Sequence, residues 1–157
     1  MQSRTIVVGV DGSEHSKAAL RWAVEEAKLR GSSVRAVHVW WIYPALYPGA
    51  SIAAADFDDV RAQAGSFVEQ FVAEVFPDGA GVDLEAVAIE GEAAVAPVLV
   101  DAAKDAELLV VGSRGLGGFR GLLLGSVSQQ CTHYASCPVV VLHDPAATRD
   151  QAVRAAA

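Results

Sequence analysis

Hydrophobic positions along this chain follow two alternating rhythms. Short apolar runs at residues 5–10, 34–40, 82–89, 108–111 and 139–142 are rich in β-branched side chains and read as buried strands. Between them the spacing changes. Leu20, Ala23, Val24 and Ala27 recur at i, i+3, i+4 and i+7, which predicts an amphipathic helix from Ser13 to Arg30 that ends near Gly31. Asp11-Gly12-Ser13 reads as the turn and cap before it. Val60, Ala64, Phe67 and Phe71 mark a second helix, stopped by Pro77-Asp78-Gly79. Pro97 suits the first turn of a third helix, where its missing N–H costs nothing, and that helix runs to about Lys104. A fourth begins at Ser126, with Val127, Gln130, Cys131 and Tyr134 expected on one face.

Strands that do not alternate with polar residues are buried on both faces, so the strand–helix alternation predicts a single-domain α/β fold. Its sheet is open and parallel, with helices on both sides, as in Rossmann-like proteins. Right-handed crossovers make such a chain wind one way and reverse once, and ligands bind outside the carboxyl ends of the strands at that reversal. A length of 157 residues suits one domain. Residues 1–144 are expected to form it, and residues 145–157, rich in alanine, a flexible tail. Residues 41–55 are apolar but carry Pro44, Pro48 and Gly49, and are expected to form a long loop over the mouth of the sheet.

The chemistry concentrates after the fourth run. Residues 112–125 hold six of the fourteen glycines and lead into Ser126-Val127-Ser128. A strand, a glycine loop and a helix start form an anion site, because unpaired backbone N–H groups point at the ligand and the helix dipole favours negative charge. The charge pattern agrees. In a chain of net charge −7, residues 108–143 contain no Asp or Glu but do contain Arg114 and Arg120. A Walker loop is excluded, since no lysine follows Lys104. The dinucleotide fingerprint fails too, because Arg120 stands where its last glycine belongs and the loop follows the fourth strand rather than the first.

The pattern that fits is glycine, two residues, glycine, nine residues, glycine, serine: Gly112, Gly115, Gly125, Ser126. This resembles the ATP-binding motif of the universal stress protein family, in the branch that keeps the nucleotide loop. The likeness extends to residues 6–13, to His38-Val39, to residues 108–113 and to residues 137–141, covering about residues 4–142. It implies the strand order 3-2-1-4-5 of an adenine nucleotide hydrolase-like sheet, which places the reversal between strands one and four. Val10-Asp11 and Val111-Gly112 follow those two strands, so fold logic and glycine loop select one crevice.

Carried over residue by residue, the resemblance gives Gly9, Val10 and Val39 to an adenine slot and Asp11 to the ribose hydroxyls or the adenine side. Gly112 and Gly115 are expected to let the main chain approach the phosphates with positive φ. Gly125, Ser126, Val127 and Ser128 would hold the terminal phosphates through N–H groups and two hydroxyls. Arg114 and Arg120 are candidate counter-charges. Each has a plainer reading: Asp11 as a helix cap, the valines as core, Ser126 as an N-cap and the arginines as solvated loop residues. Trp40 and Trp41 are read as packing and left outside the site.

Other features narrow the function. The acidic balance argues against a nucleic-acid partner, and the lack of an eighteen-residue apolar run argues against a membrane span. Cys131 and Cys137, without a signal-like N-terminus, suggest reduced thiols in a cytoplasmic protein, and with His133 they lack the ligand count of a zinc site. His15, His38, His133 and His143 pair with no evident nucleophile. No Ser-Gly-Gly-x-Asp-Ser pyrophosphatase loop exists at Ser13 or Ser16. The expectation is therefore an ATP-binding module, with magnesium bridging the phosphates, that acts through nucleotide occupancy rather than rapid catalysis. The alternatives are a slow ATPase or nucleotidyl transferase using the same crevice, and a partner-binding module with an empty loop. The fifth run, Val139–Leu142, lies at the sheet edge in the resembled order and is expected to pair two copies as a homodimer.

Overall fold

The computed structural model describes residues 4–42, 54–116 and 124–143. Nine elements follow in the order β1 (Thr5–Gly9), α1 (Glu14–Arg30), β2 (Ser33–Trp40), α2 (Ala54–Val75), β3 (Leu84–Glu90), α3 (Val95–Ala102), β4 (Leu108–Gly112), α4 (Ser126–Tyr134) and β5 (Val139–Leu142). The strands form one sheet in the order β3-β2-β1-β4-β5, parallel throughout. The expected order and its reversal between β1 and β4 are both present.

Period-two alternation divides the core between the two faces of the sheet. Ile6, Val8, Val34, Ala36, Leu108 and Val110 pack with Leu20, Ala23, Val24 and Ala27 of α1 and with Val68 and Phe71 of α2. Val7, Val37, Val39, Leu109 and Val111 face the other way, against Ala96 and Leu99 of α3 and Cys131 of α4. Both faces of the central strands are thus covered, which is why their sequences read as unbroken apolar runs.

Local signals set the helix ends. Ser13 caps α1, its Oγ accepting the Ser16 N–H at 3.1 Å, and Gly31 closes it in the left-handed conformation at φ 66°. Pro97 lies in the first turn of α3, as the sequence predicts. Three expectations need correction. Asp11 is not the cap of α1: its Oδ1 accepts the Ser13 N–H at 2.9 Å, and Ser13 takes the capping position. Residues 54 and 55 are not loop but the first turn of α2; the rest of the expected 41–55 loop beyond Ile42 lies outside the described residues, as does the 145–157 tail. On α4 the buried positions are Ser128 and Cys131, whereas Gln130 and Tyr134 face solvent. Of the four expected positions, Val127 and Cys131 pack on the core beneath the sheet, and period alone does not choose which neighbouring stripe is covered.

Both cysteines are free thiols, Cys131 buried and Cys137 half-buried. Burial pushes the Cys131 thiol up to about 11, with neighbouring Cys137 adding to the shift, so it is a packing group rather than a reactive one. No helix among the described residues is long and apolar enough to cross a membrane.

Candidate functional site

At the carboxyl ends of the central strands a crevice of about 560 Å³ opens where the strand order reverses. Gly9 ends β1 and Val10 and Asp11 follow it, Val37, His38, Val39 and Trp41 come from β2 and its exit, and Val95 and Leu99 from α3. Val111, Gly112, Arg114, Gly115 and Leu116 come from β4 and the loop after it, and residues 125–128 from the start of α4. Every described residue expected at the site is therefore in its wall: Gly9, Val10, Asp11, Val39, Gly112, Arg114, Gly115, Gly125, Ser126, Val127 and Ser128. Arg120 lies outside the described residues. Trp41, read as packing, lines the crevice, because the alternation of β2 carries it onto the same face as Val37 and Val39. Ser16, Val95 and Leu99 were also missed, since only the docking of α1 and α3 on the sheet brings them there, and Val37 and Leu116 were missed beside expected neighbours in the chain.

The turn after β1 is held from both sides. The Val10 N–H donates to Val37 O at 2.9 Å and the Val10 carbonyl accepts from His38 Nδ1 at 3.0 Å. Asp11 follows, with Oδ1 on the Ser13 N–H and Oδ2 accepting the Leu116 N–H at 3.2 Å. Asp11 is the sole carboxylate among the described lining residues, and both of its oxygens already hold backbone.

The glycine loop is anchored through Ser113, whose carbonyl accepts the Gly125 N–H at 2.6 Å and the Ser128 hydroxyl at 3.0 Å. Here the expectations shift. Ser128 Oγ, expected on phosphate, is buried and donates to Ser113 O and Gly125 O, bracing the loop instead. Ser126 is not an N-cap: Gly125 holds that position, in extended backbone, and no side chain caps the helix. The first-turn N–H groups of α4 thus have no intrahelical acceptor and face the crevice, the arrangement that binds anions.

Nor do Gly112 and Gly115 adopt positive φ; the described positive-φ glycines are Gly12, Gly31, Gly79 and Gly81. Their lack of a side chain serves close approach. A Cβ on Gly112 would sit 2.8 Å from His15 Cβ and 2.9 Å from its carbonyl carbon, and one on Gly115 would sit 2.5 Å from Asp11 Oδ2. The loop is pressed onto the start of α1, and only glycine fits.

Among the described residues no three His, Cys, Asp or Glu side chains converge as a metal site.

Comparison with known proteins agrees with this geometry. The sequence profile of the Universal stress protein family matches residues 2–143. A universal stress protein of Mycolicibacterium smegmatis is 38% identical over 141 residues, covering 88% of this chain and 47% of that protein. The chain thus spans about half the length of the curated relatives it matches. Among solved structures, the universal stress protein from Archaeoglobus fulgidus in complex with dAMP has a TM-score of 0.63 at 26% identity, covering 90% of this chain and 99% of that one. A universal stress protein family protein from Arabidopsis thaliana with AMP bound has a TM-score of 0.61 at 27% identity, covering 92% and 94%.

Proposed function

The chain belongs to the universal stress protein family, and from that premise we propose that its crevice binds an adenine nucleotide, with ATP the foremost candidate. The observation that supports this reading is the division of the lining by chemistry. Val10, Val37, Val39, Val95 and Leu99 supply apolar surface suited to a base. The uncapped start of α4, the backbone of the glycine loop and Arg114 supply N–H groups and positive charge suited to phosphates. Solved relatives bound to dAMP and AMP support the same ligand class.

Asp11 is the group closest in character to a sugar-hydroxyl acceptor, and a bound ribose would share its carboxylate with the two backbone donors it already holds. Magnesium accompanying ATP would draw its ligands from phosphate oxygens and water, since Asp11 is the one carboxylate among the described lining residues and stands engaged. The described lining offers few groups for fast hydrolysis: the Asp11 carboxylate is engaged, and His38 is held on the Val10 carbonyl through Nδ1. Occupancy is then the signal, read through the stability of the fold and through pairing of two copies along β5. The deciding experiment is to denature protein purified from cells, identify the released small molecule, and follow product per site over hours with added ATP. An adenine nucleotide with negligible turnover supports the reading. Steady product formation replaces it with a slow ATPase or nucleotidyl transferase, and failure to bind any adenine nucleotide overturns it.

A further inference from the structure

In the wall of the crevice, the ladder between β1 and β2 continues for one rung past β1, from the Val10 N–H to Val37 O. The next acceptor, Val10 O, is taken by a side chain, His38 Nδ1 at 3.0 Å. A carbonyl oxygen can only accept, so Nδ1 carries the proton. The ring is held in place from the other layer: Phe67 of α2 lies against it, centroids 4.4 Å apart and tilted by 48°. The same Phe67 covers the turn, its Cζ standing 3.2 Å from where a Cβ on Gly12 would be, at a residue with φ 88°. The peptide that begins the turn is therefore gripped from β2, and the turn itself is roofed by α2. Asp11 comes directly after that gripped carbonyl and reaches to the Leu116 N–H of the glycine loop.

We infer that His38 is a positioning residue for nucleotide binding: by donating from Nδ1 to Val10 O it fixes the Val10–Asp11 peptide, and so the place of the Asp11 carboxylate between sugar and phosphate loop. The inference rests on the nucleotide reading for its effect on affinity, but the linkage from His38 through Val10 to Asp11 is independent of any ligand. Phe67 makes α2 part of the same support.

The test compares wild type with His38→Ala, His38→Asn and His38→Gln, measuring AMP and ATP affinity by calorimetry and amide hydrogen exchange at Ser13 and Leu116 without nucleotide. The Asn amide N–H lies near the position of imidazole Nδ1, whereas the Gln amide lies one bond further out. His38→Ala is expected to weaken affinity by about tenfold, the worth of one such hydrogen bond, and to speed exchange at both amides. His38→Asn restores both and His38→Gln does not. Unchanged exchange and affinity in His38→Ala, or equal rescue by Gln, overturns the proposal. Should His38→Ala fail to fold, the nitrogen resonances of wild-type His38 decide: a proton on Nδ1 supports the grip, and a bare Nδ1 in the neutral ring overturns it. A wild type that binds no adenine nucleotide overturns the reading of the site, and the exchange comparison then still decides the role of His38.

Discussion

The Asp11 carboxylate accepts the Leu116 N–H at 3.2 Å across 105 residues of sequence, joining the turn after β1 to the loop after β4. The two strands flank the reversal of the sheet, so this bond joins two walls of the crevice. Its other oxygen holds the Ser13 N–H, at the residue that caps α1. One side chain thus ties the glycine loop to the first helix.

Removing that tie should cost both binding and stability. Asp11→Ala is expected to lower stability by about 1 kcal/mol through two lost acceptors, and to weaken nucleotide affinity less than a blocked glycine does. Thermal unfolding and calorimetry check this, and an Asp11 variant with wild-type affinity would leave the residue a structural role alone.

The loop glycines should separate by what their Cβ meets. Gly115→Val and Gly125→Val are expected to abolish nucleotide binding with circular dichroism unchanged, because the first collides with Asp11 Oδ2 and the second brings bulk against the Arg114 backbone. Gly112→Ala meets the backbone of His15 in α1, which cannot swing aside, so it should lower the melting temperature as well. Equal melting temperatures for the Gly112 and Gly115 variants would contradict this division.

Nucleotide should stabilise the fold by mass action. At about a hundred times its dissociation constant, ATP is expected to add roughly 2.7 kcal/mol if it binds only the folded state. The corresponding rise in melting temperature should vanish in Gly125→Val. A rise of the same size in both proteins would trace to bulk ionic effects.

At the opposite end of the sheet, Arg30 donates to Glu107 at 2.8 Å and Ser32 at 2.9 Å, tying the end of α1 to the approach to β4. The Arg30 bond first, and then the Ser32 bond, hold the Glu107 carboxyl below the ordinary carboxylate range. A depressed folded value means that this contribution is present at neutral pH and is lost as pH falls through it. Glu107→Gln should therefore be less stable than wild type at pH 7, with the gap closing on acidification below the ordinary carboxyl range. Denaturant unfolding at a series of pH values measures the gap, and a difference that widened on acidification would contradict the linkage.

β5 ends the sheet at the β4 side, its four residues all half-buried. An apolar edge without an inward charge or proline invites a partner strand. Two copies pairing antiparallel about a two-fold axis would bury both edges. Light scattering at micromolar concentration is expected to give a dimer for wild type, shifted toward monomer or aggregate by Val140→Pro or Val141→Lys. A monomeric wild type sinks the idea.

Much of this protein was legible along the chain. Five β-branched runs and the intervening periodicities sufficed for a parallel sheet covered on both faces, because burial on two sides removes polar alternation. Ser13 and Gly31 announced the ends of α1, since capping and left-handed closure depend on the residue at that one position. The glycine-dense stretch named the loop, and the loop named the crevice.

What the chain alone could not decide were relations between elements. The sequence points to Gly112 and Gly115 but assigns them positive φ; tertiary packing shows that they are needed because His15 and Asp11 press against them from α1 and the turn before it. Ser128 carries a hydroxyl suited to phosphate, yet the fold places it on Ser113 O as a second donor beside the Gly125 N–H. Leu99 and Val95 enter the crevice only because α3 docks beside the exit of β2. Local propensity sets elements and caps through contacts within a few residues. A crevice is lined by residues far apart in sequence, and which of their groups remain free for a ligand is settled only when the elements meet.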